Sequence, residues 1–372
     1  MNKNNRVLFL LHLPPPVHGA AMVGKSIHDS ELINGEFDSH YINLTTASSL
    51  EDIGKVGLKK VLAFRRLLQE IRNVVKHLKL DLVYVSPNAK GGAFYKDFIV
   101  IMMLKRMGCR VVVHYHNKGV STKQNRWIDN LLYRRFFKGI KVILLGKSLY
   151  RDVEKYVKWE DVYICPNGIP VQKDGTVEFR KPRENNVPRL LFLSNLLVSK
   201  GVLVLLDALA VLRDRGYSFI CDFVGGETAE LDAASFQLEV EKRRLIGIAN
   251  YQGKRYGLDK EEFFEQADIF VFPTFYDNEC FPLVLLEAMW QGLPCISTNE
   301  GAISDIVNDG VNGFIVERKN SLQLADKIAQ LIDDKDLRVK MGIEGHKKFL
   351  NEFTLEHFEK NISRILADVC QR

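Results

Sequence analysis

Short apolar runs alternate along the chain with longer stretches in which apolar residues recur every three or four positions. The short runs are typical of strands buried in a parallel sheet, and the longer period is typical of helices that pack on it. Predicted strands of the first half are RVLFLLHL, LDLVYVSP, CRVVVHYH and IKVILLG. Those of the second half are PRLLFLSNL, YSFICDFVGG, ADIFVFPT, LPCISTN and NGFIVE. This alternation predicts an α/β fold with right-handed crossovers.

The helical period predicts helices at Leu58–Lys79, Tyr95–Met107, Val202–Arg215, Lys260–Gln266, Leu283–Gln291 and Ser321–Asp333. The first apolar run loosely resembles a signal peptide, but it is short, interrupted by His12 and followed by three prolines. A buried first strand is therefore the favoured interpretation. No run approaches the roughly 20 apolar residues of a membrane-spanning helix.

The chain has 372 residues, which is more than one hydrophobic core usually serves. A segment rich in Pro, Gly, Asn and charge predicts a linker over 168–188, between domains at 1–167 and 189–353. The tail from Thr354 to Val369 is predicted to be helical, and one arrangement open to residues 354–372 is a helix that packs back on the first domain.

Composition is that of an ordinary globular protein, with 46% hydrophobic and 26% charged residues. None of the six cysteines forms a C-x-x-C pair or has zinc-site spacing. This pattern predicts reduced thiols in a cytoplasmic protein.

The net charge of +6 is unevenly distributed along the chain. Residues 1–180 hold 29 Lys and Arg against 16 Asp and Glu, whereas residues 181–372 hold 23 against 30. The basic first half predicts an anionic partner, for which nucleic acid, a membrane surface and a phosphorylated acceptor are candidates. Lys55–Leu80 is basic and amphipathic, which suits an anionic membrane surface and equally an ordinary surface helix.

The stretch NECFPLVLLEAMWQGLPCIST carries two glutamates, Glu279 and Glu287, eight positions apart. Pro282 suits the first turn of the helix predicted from Leu283, and backbone N–H groups at that end can bind hydroxyl or phosphate oxygens. Glu287, one turn inside, can accept two hydrogen bonds from a ribose diol. The alternative is a capping Glu279 and an exposed Glu287.

Two loops carry basic residues at predicted helix starts. In FLSNLLVSKG, Lys200 opens a helix after a strand, which suits a diphosphate. In HLPPPVHGAAMVGKS, the string from Gly19 to Ser26 matches a P-loop. Residues PPPVH separate it from the strand, and the helix is expected to begin by Ala20–Ala21, so a P-loop is disfavoured.

In VVVHYHNKG, His114 and His116 alternate after a strand and therefore point to one side of the chain. No other His, Cys or carboxylate residue forms a cluster with these two in the sequence, so a metal site is not expected. The two open interpretations are structural histidines and a histidine at a binding site.

The segment around Glu279 and Glu287 resembles the signature of family 4 retaining glycosyltransferases, which have the GT-B fold. The resemblance extends to EGAISDIVNDGVNGFIV after it and to YQGKRYGLDKEEFFEQADIFVFPTFYD before it. It covers the C-terminal half well and the N-terminal half loosely. It implies two Rossmann-like domains whose parallel sheets face a central cleft.

The resemblance also implies roles for residues of this chain. His116 would lie beside the reacting sugar, Glu279 would contact that sugar, and Lys200 would hold the diphosphate, which makes these three the catalytic candidates. Asn195 stands where the family has an arginine and brings no charge. Donor contacts are implied for Gly19, Ala20, Asn195, Lys200, Gly253, Arg255, Glu279, Cys280, Phe281, Pro282, Leu283 and Glu287.

The function implied is metal-independent transfer of a sugar from a UDP- or GDP-linked donor, without a resident cofactor, to a hydroxyl of a glycan or polyprenyl-linked acceptor. Retention of configuration is implied, and a place in cell-surface polysaccharide synthesis is expected. We expect a cytoplasmic protein that binds the inner face of the plasma membrane and does not bind nucleic acid. Alternatives are a nucleotide-sugar epimerase on the same scaffold and a P-loop NTPase.

Overall fold

A computed structural model describes residues 5–15, 19–45, 58–171 and 187–371. The chain forms two units, one comprising residues 1–167 with Leu355–Arg372 and the other Gly168–Thr354. Each unit contains a six-stranded sheet in which neighbouring strands are parallel, so the predicted α/β fold is confirmed. Residues 172–186 of the expected linker lie outside the described ranges.

The first unit has strand order β2-β1-β3-β4-β5-β6. Its strands are β1 (Arg6–Leu11), β2 (Asp38–Asn43), β3 (Leu82–Val85), β4 (Val111–His114), β5 (Lys141–Leu144) and β6 (Val162–Ile164). Its helices are α1 (Gly19–Asp29), α2 (Glu31–Glu36), α3 (Leu58–His77), α4 (Gly91–Arg106), α5 (Val120–Lys123), α6 (Trp127–Phe137), α7 (Tyr150–Val153) and α15 (Leu355–Gln371).

Helix α15 belongs to the core of the first unit although 187 residues of chain separate it from that unit's other elements. Its apolar face lies among buried residues of β1, β3 and the α1–α2 region. The residues that it contributes are Phe358, Ile362, Ile365, Leu366 and Val369. Burial of this face explains why the tail forms a helix, since most of its polar residues lie on the opposite side.

The second unit has strand order β12-β11-β10-β7-β8-β9. Its strands are β7 (Arg189–Leu193), β8 (Ile220–Val224), β9 (Ala249–Tyr251), β10 (Ile269–Phe272), β11 (Cys295–Thr298) and β12 (Gly313–Val316). Its helices are α8 (Val202–Asp214), α9 (Ala233–Lys242), α10 (Gly257–Gln266), α11 (Leu283–Trp290), α12 (Ile303–Ile306), α13 (Ser321–Asp333) and α14 (Lys335–Glu352).

In each sheet the order of the strands reverses once. The reversal lies between β1 and β3 in the first unit and between β7 and β10 in the second. Loops that leave neighbouring strands in opposite directions open a crevice at such a point, and ligands of open α/β sheets bind there, beyond the carboxyl ends of the strands.

All nine predicted strands are present, and each predicted helix has a counterpart. Strands β2, β6 and β9 have no counterpart among the predictions because they are short or mostly polar and are only partly buried. Helix α10 begins at Gly257, three residues before the predicted start. Among the described residues, no helix is both long enough and apolar enough to cross a bilayer.

Candidate functional site

The loop that leaves β7 brings Lys200 to the reversal point of the second sheet. A 3₁₀ turn over Val198–Lys200 ends at Gly201, whose φ of 89° is left-handed. A Cβ on Gly201 would also overlap the carbonyl oxygen of Pro273, which follows β10. Glycine is required there for both reasons, and the close approach holds Lys200 against the end of β10.

Lys200 and Glu279 form an ion pair across this reversal point. Lys200 Nζ lies 2.5 Å from Glu279 Oε2, and the two side chains are only 16% and 9% exposed. The ammonium also lies over the ring of Tyr276, 4.7 Å from its centroid, while Thr274 Oγ1 is 3.5 Å from the same carboxylate oxygen. The two predicted residues therefore meet although 79 positions separate them.

Glu279 is positioned by the segment that leads into α11. Its backbone N–H donates to Tyr276 O at 2.8 Å, and Ala302 N donates to Cys280 O at 2.7 Å. Cys280 and Phe281 are buried, and Phe281 packs edge-on against Phe353. These contacts make Cys280 and Phe281 anchors of the segment.

The first turn of α11 directly follows this anchored segment. Pro282 is its N-cap residue and supplies no side-chain cap, and Leu283 is the first helical residue and is partly exposed. The start of α11 therefore offers backbone N–H groups that a ligand oxygen can accept from.

Glu287, one turn into α11, has one carboxylate oxygen engaged and one free. Lys260 Nζ of α10 lies 2.8 Å from Glu287 Oε1. Glu287 Oε2 is buried and has no hydrogen-bond partner among the described residues. A buried carboxylate oxygen without a donor is costly, and a ligand that supplies a hydroxyl would remove that cost.

Asn195 and the loop after β9 lie together at the ends of β7, β8 and β9. Asn195 Oδ1 accepts a hydrogen bond from Gly226 N at 3.2 Å. Gly225 N donates to Gly253 O at 3.0 Å, and the alkyl chain of Lys254 lies beside Gly226. Arg255 is exposed. Asn195 therefore holds the loop that follows β8, through its hydrogen bond with Gly226.

In the first unit, α1 begins at Gly19, so the P-loop string lies within a helix. A Cβ on Gly24 would overlap the carbonyl oxygen of His12, which shows how closely α1 approaches the end of β1. Lys25 pairs with Asp29, and Ser26 Oγ donates to Met22 O. The string therefore forms no phosphate-binding loop, as the sequence-based placement of the helix had indicated.

His114 and His116 lie at the carboxyl end of β4 with their ring centroids 4.2 Å apart. His114 Nδ1 is 2.5 Å from Tyr84 Oη, and burial lowers the pKa of His114 well below its usual range. Burial also lowers the pKa of His116 to about 4, so this ring is neutral at pH 7. His114 Nε2 and His116 Nδ1 have no hydrogen-bond partner among the described residues.

The second unit thus holds most of the predicted site residues at the carboxyl edge of one sheet: Asn195, Lys200, Gly253, Arg255, Glu279, Cys280, Phe281, Pro282, Leu283 and Glu287. Gly19, Ala20 and His116 belong to the first unit. The sequence does not single out Lys260, Thr274 or Tyr276 as site residues. Their roles depend on the approach of α10 to α11 and of the β10 loop to Lys200, which no local spacing encodes.

Residues 175–348 match the family model described as glycosyl transferases group 1. The capsular polysaccharide biosynthesis glycosyltransferase CapM of Staphylococcus aureus is 30% identical over 166 residues, 44% of this chain and 41% of that protein. The glycosyltransferase MJ1178 of Methanocaldococcus jannaschii is 22% identical over 378 residues, 96% of this chain and 98% of that protein. The chain therefore spans about two fifths of CapM and nearly all of MJ1178.

Among solved structures, Anabaena Alr3699/HepE in complex with UDP superposes with a TM-score of 0.74 at 16% identity, covering 98% of this chain and 100% of that one. This likeness and the two parallel sheets show a two-domain Rossmann-like architecture, the GT-B fold. The family model matches 174 of the 372 residues, just under half of the chain, and this stretch is similar to the glycosyl transferases group 1.

Proposed function

We propose that the chain transfers a sugar from a UDP- or GDP-linked donor to a hydroxyl acceptor with retention of configuration and without a metal ion. The buried, unpartnered Glu287 Oε2 is the observation that carries this proposal. A ribose diol supplies the two hydroxyl donors that such a carboxylate lacks, and Lys260 fixes the other oxygen so that Oε2 keeps its orientation.

The diphosphate is assigned to Lys200 and the start of α11. When the bond to the sugar breaks, negative charge grows on the leaving diphosphate, and fixed cationic and N–H donors stabilise it without reorganisation. Lys200 is held by Glu279 in this structure and would exchange that carboxylate for phosphate oxygens. Asn195 adds only an uncharged amide, so Lys200 is the principal cation in this assignment.

In the second unit, Glu279 is assigned to the reacting sugar. In the first unit, the resemblance assigns His116 to a sugar contact and Gly19 and Ala20 to a diphosphate contact. Neutral His116 can accept a hydrogen bond at its unpartnered Nδ1 or donate one, depending on tautomer. No carboxylate is assigned as a nucleophile. The acceptor hydroxyl is assigned to the first unit, and water exclusion around the donor would limit hydrolysis.

The acceptor that we propose is a glycan or polyprenyl-linked precursor of a cell-surface polysaccharide, bound at the inner face of the plasma membrane. The similarity to CapM, a protein named for capsular polysaccharide biosynthesis, supports this class. The Anabaena structure contains UDP, which favours UDP over GDP as the leaving nucleotide. Nucleotide-sugar epimerisation is the less favoured use of the same scaffold and would proceed without any acceptor.

Titration calorimetry of UDP and GDP in EDTA tests the donor site. We expect one of the two to bind without metal, and Glu287→Ala to weaken that binding roughly 10- to 100-fold, as for a lost hydrogen bond to a charged group. Glu265→Ala, an exposed glutamate of α10, is the matched control and should bind like the unmodified protein. Equal affinity in both variants would remove Glu287 from the site, and binding that requires Mg²⁺ would contradict the metal-independent assignment.

A further inference from the structure

Helix α6 exposes apolar side chains at its start and basic ones at its end. Trp127 is 75% exposed, and Ile128 and Leu131 are also largely exposed. Arg134, Arg135 and Lys138 continue the solvent-facing side towards the end of the helix. The opposite side carries Tyr133, Phe136 and Phe137, all buried, so the exposed apolar residues are not needed to fill the core.

Helix α4 repeats this arrangement beside α6. Tyr95 and Ile99 are exposed in its first half, and Arg106 is exposed at its end. The two helices run in the same direction. Tyr95 Oη donates to Asp129 Oδ1 at 2.7 Å near their starts, and Lys105 Nζ donates to the carbonyls of Arg135, Phe136 and Lys138 near their ends.

The exposed apolar residues therefore lie side by side at one end, and the basic residues lie side by side at the other. We define the α4–α6 surface by Tyr95, Ile99, Arg106, Trp127, Ile128, Leu131, Arg134, Arg135 and Lys138. Exposed apolar patches rimmed by polar residues mark interaction sites.

The positive charge around the α4–α6 surface indicates which kind of partner it binds. Residues 101–150 contain 11 Lys and Arg but only one acidic residue, Asp129, which is buried. A second copy of the same surface would meet like charge, which opposes self-association. Anionic lipid offers phosphate groups for the arginines and an interfacial layer in which Trp, Tyr and aliphatic side chains are favoured.

We propose that the α4–α6 surface docks on an anionic lipid bilayer, with Trp127, Ile128 and Ile99 entering the headgroup layer. This goes beyond the proposed donor site, which shares no residue with the surface. It also differs from the prediction that Lys55–Leu80 makes the contact. Residues 55–57 of that segment lie outside the described ranges, and helix α3 (Leu58–His77), which follows them, supplies a matched comparison.

Flotation with vesicles tests the proposal on the full chain. Vesicles of phosphatidylcholine alone are compared with vesicles of equal parts phosphatidylcholine and phosphatidylglycerol. We expect binding to the anionic vesicles only. Arg134→Gln/Arg135→Gln should lower partitioning roughly 25-fold, since each basic residue near an anionic surface contributes about a fivefold factor. Trp127→Ala should also lower it.

The control for charge is Arg65→Gln/Arg66→Gln on α3, which removes the same charge from exposed positions. The control for aromatic area is Trp159→Ala, a half-exposed tryptophan outside α4 and α6. Both should bind like the unmodified protein. Equal loss in the α3 variant, unchanged binding in the α6 variants, or equal binding to neutral vesicles would overturn the proposal.

Two further measurements distinguish loss of membrane binding from loss of the donor site and from self-association. Nucleotide binding by calorimetry is expected to be unchanged in the α6 variants, which keeps a failed donor site distinct from a failed membrane surface. Hydrogen exchange of β4 and β5, which should stay protected, checks that the first unit of each variant is folded. A dimer in gel filtration that Trp127→Ala converts to a monomer would show that the surface joins two copies, and would overturn the assignment to lipid.

Discussion

Lys200 and Glu279 carry opposite charges and are both largely buried, so a substitution of either residue affects stability as well as activity. Removing one member of a buried pair leaves the other charge uncompensated, so a single variant can lose stability as well as activity. The pair also stacks against Tyr276, which restricts the ammonium to a small region above the ring. A ligand phosphate would therefore meet a cation that is already in position.

We predict that Lys200→Met lowers turnover roughly 10²- to 10³-fold at saturating donor, because a fixed charge on the leaving diphosphate is lost. The double variant Lys200→Met/Glu279→Gln removes both charges, so its unfolding midpoint shows how much stability the single variant loses through the uncompensated carboxylate. Initial rates of nucleoside diphosphate release, with urea unfolding of each variant alongside, provide the measurement. A loss below about threefold in a folded variant would exclude Lys200 from transition-state stabilisation.

The contact of Lys260 with Glu287 could not be predicted from the sequence. The glutamates could be chosen from sequence because they flank a helix start with a proline, a local pattern. Nothing local distinguishes Lys260 from the other charged residues of α10. Its contact with Glu287 spans 27 positions and exists only because α10 and α11 lie side by side.

At the scale of elements, the approach of α1 to β1 depends on a residue without a side chain. Gly24 faces the carbonyl oxygen of His12, whereas a Cβ on Gly19, at the start of the same helix, would meet nothing within 4 Å. The two glycines of one helix therefore have different roles: Gly24 allows close packing, and Gly19 forms the exposed helix start.

We predict that Gly24→Ala destabilises the protein by about 1–3 kcal/mol, the usual cost of overpacking, whereas Gly19→Ala leaves stability within about 0.5 kcal/mol. Midpoints of urea unfolding check both. Gly19→Ala then becomes an interpretable probe: weaker nucleotide binding in that variant supports the assignment of Gly19 to the diphosphate. Equal stability of the two variants would show that α1 can move away from β1.

The elements that sequence predicted best are those whose burial is complete. Strands β1, β3, β4 and β10 are buried at nearly every position, so they appear as unbroken apolar runs. Strand β2 reads DSHYIN and has only one buried residue. It is held in the sheet by backbone pairing to β1, which leaves no apolar signature. Helix α14 was missed because Gly342 lowers helix propensity, yet that glycine permits contact with Gly292.

At the scale of the whole molecule, the first unit is built from two separate stretches of chain. The second unit is continuous from Gly168 to Thr354, and α15 then returns to the first. The sequence indicated that the tail is helical but left its packing open, because an amphipathic pattern shows that a face is buried without showing against what.

We predict that deletion of residues from Leu355 onward destabilises the first unit selectively. Five buried apolar side chains are lost, each worth about 2–5 kcal/mol, which together exceed the stability of an ordinary domain. Hydrogen exchange followed by mass spectrometry should show rapid exchange in β1 and β3 and retained protection in β7 and β10. Glu356→Gln/Lys360→Gln, which alters only the exposed side of α15, should protect both sheets normally. Uniform protection after the deletion would contradict a structural role for α15.

The return of α15 also fixes an order of events during synthesis. Residues that complete the first unit's core follow the entire second unit in the chain. At about 5–20 residues per second, a ribosome needs roughly 10–40 s to make that intervening stretch. During this interval the nascent first unit presents an uncovered apolar surface, while the second unit has all of its own residues as soon as it emerges. The part of the molecule translated first is therefore the last to have all the residues of its core.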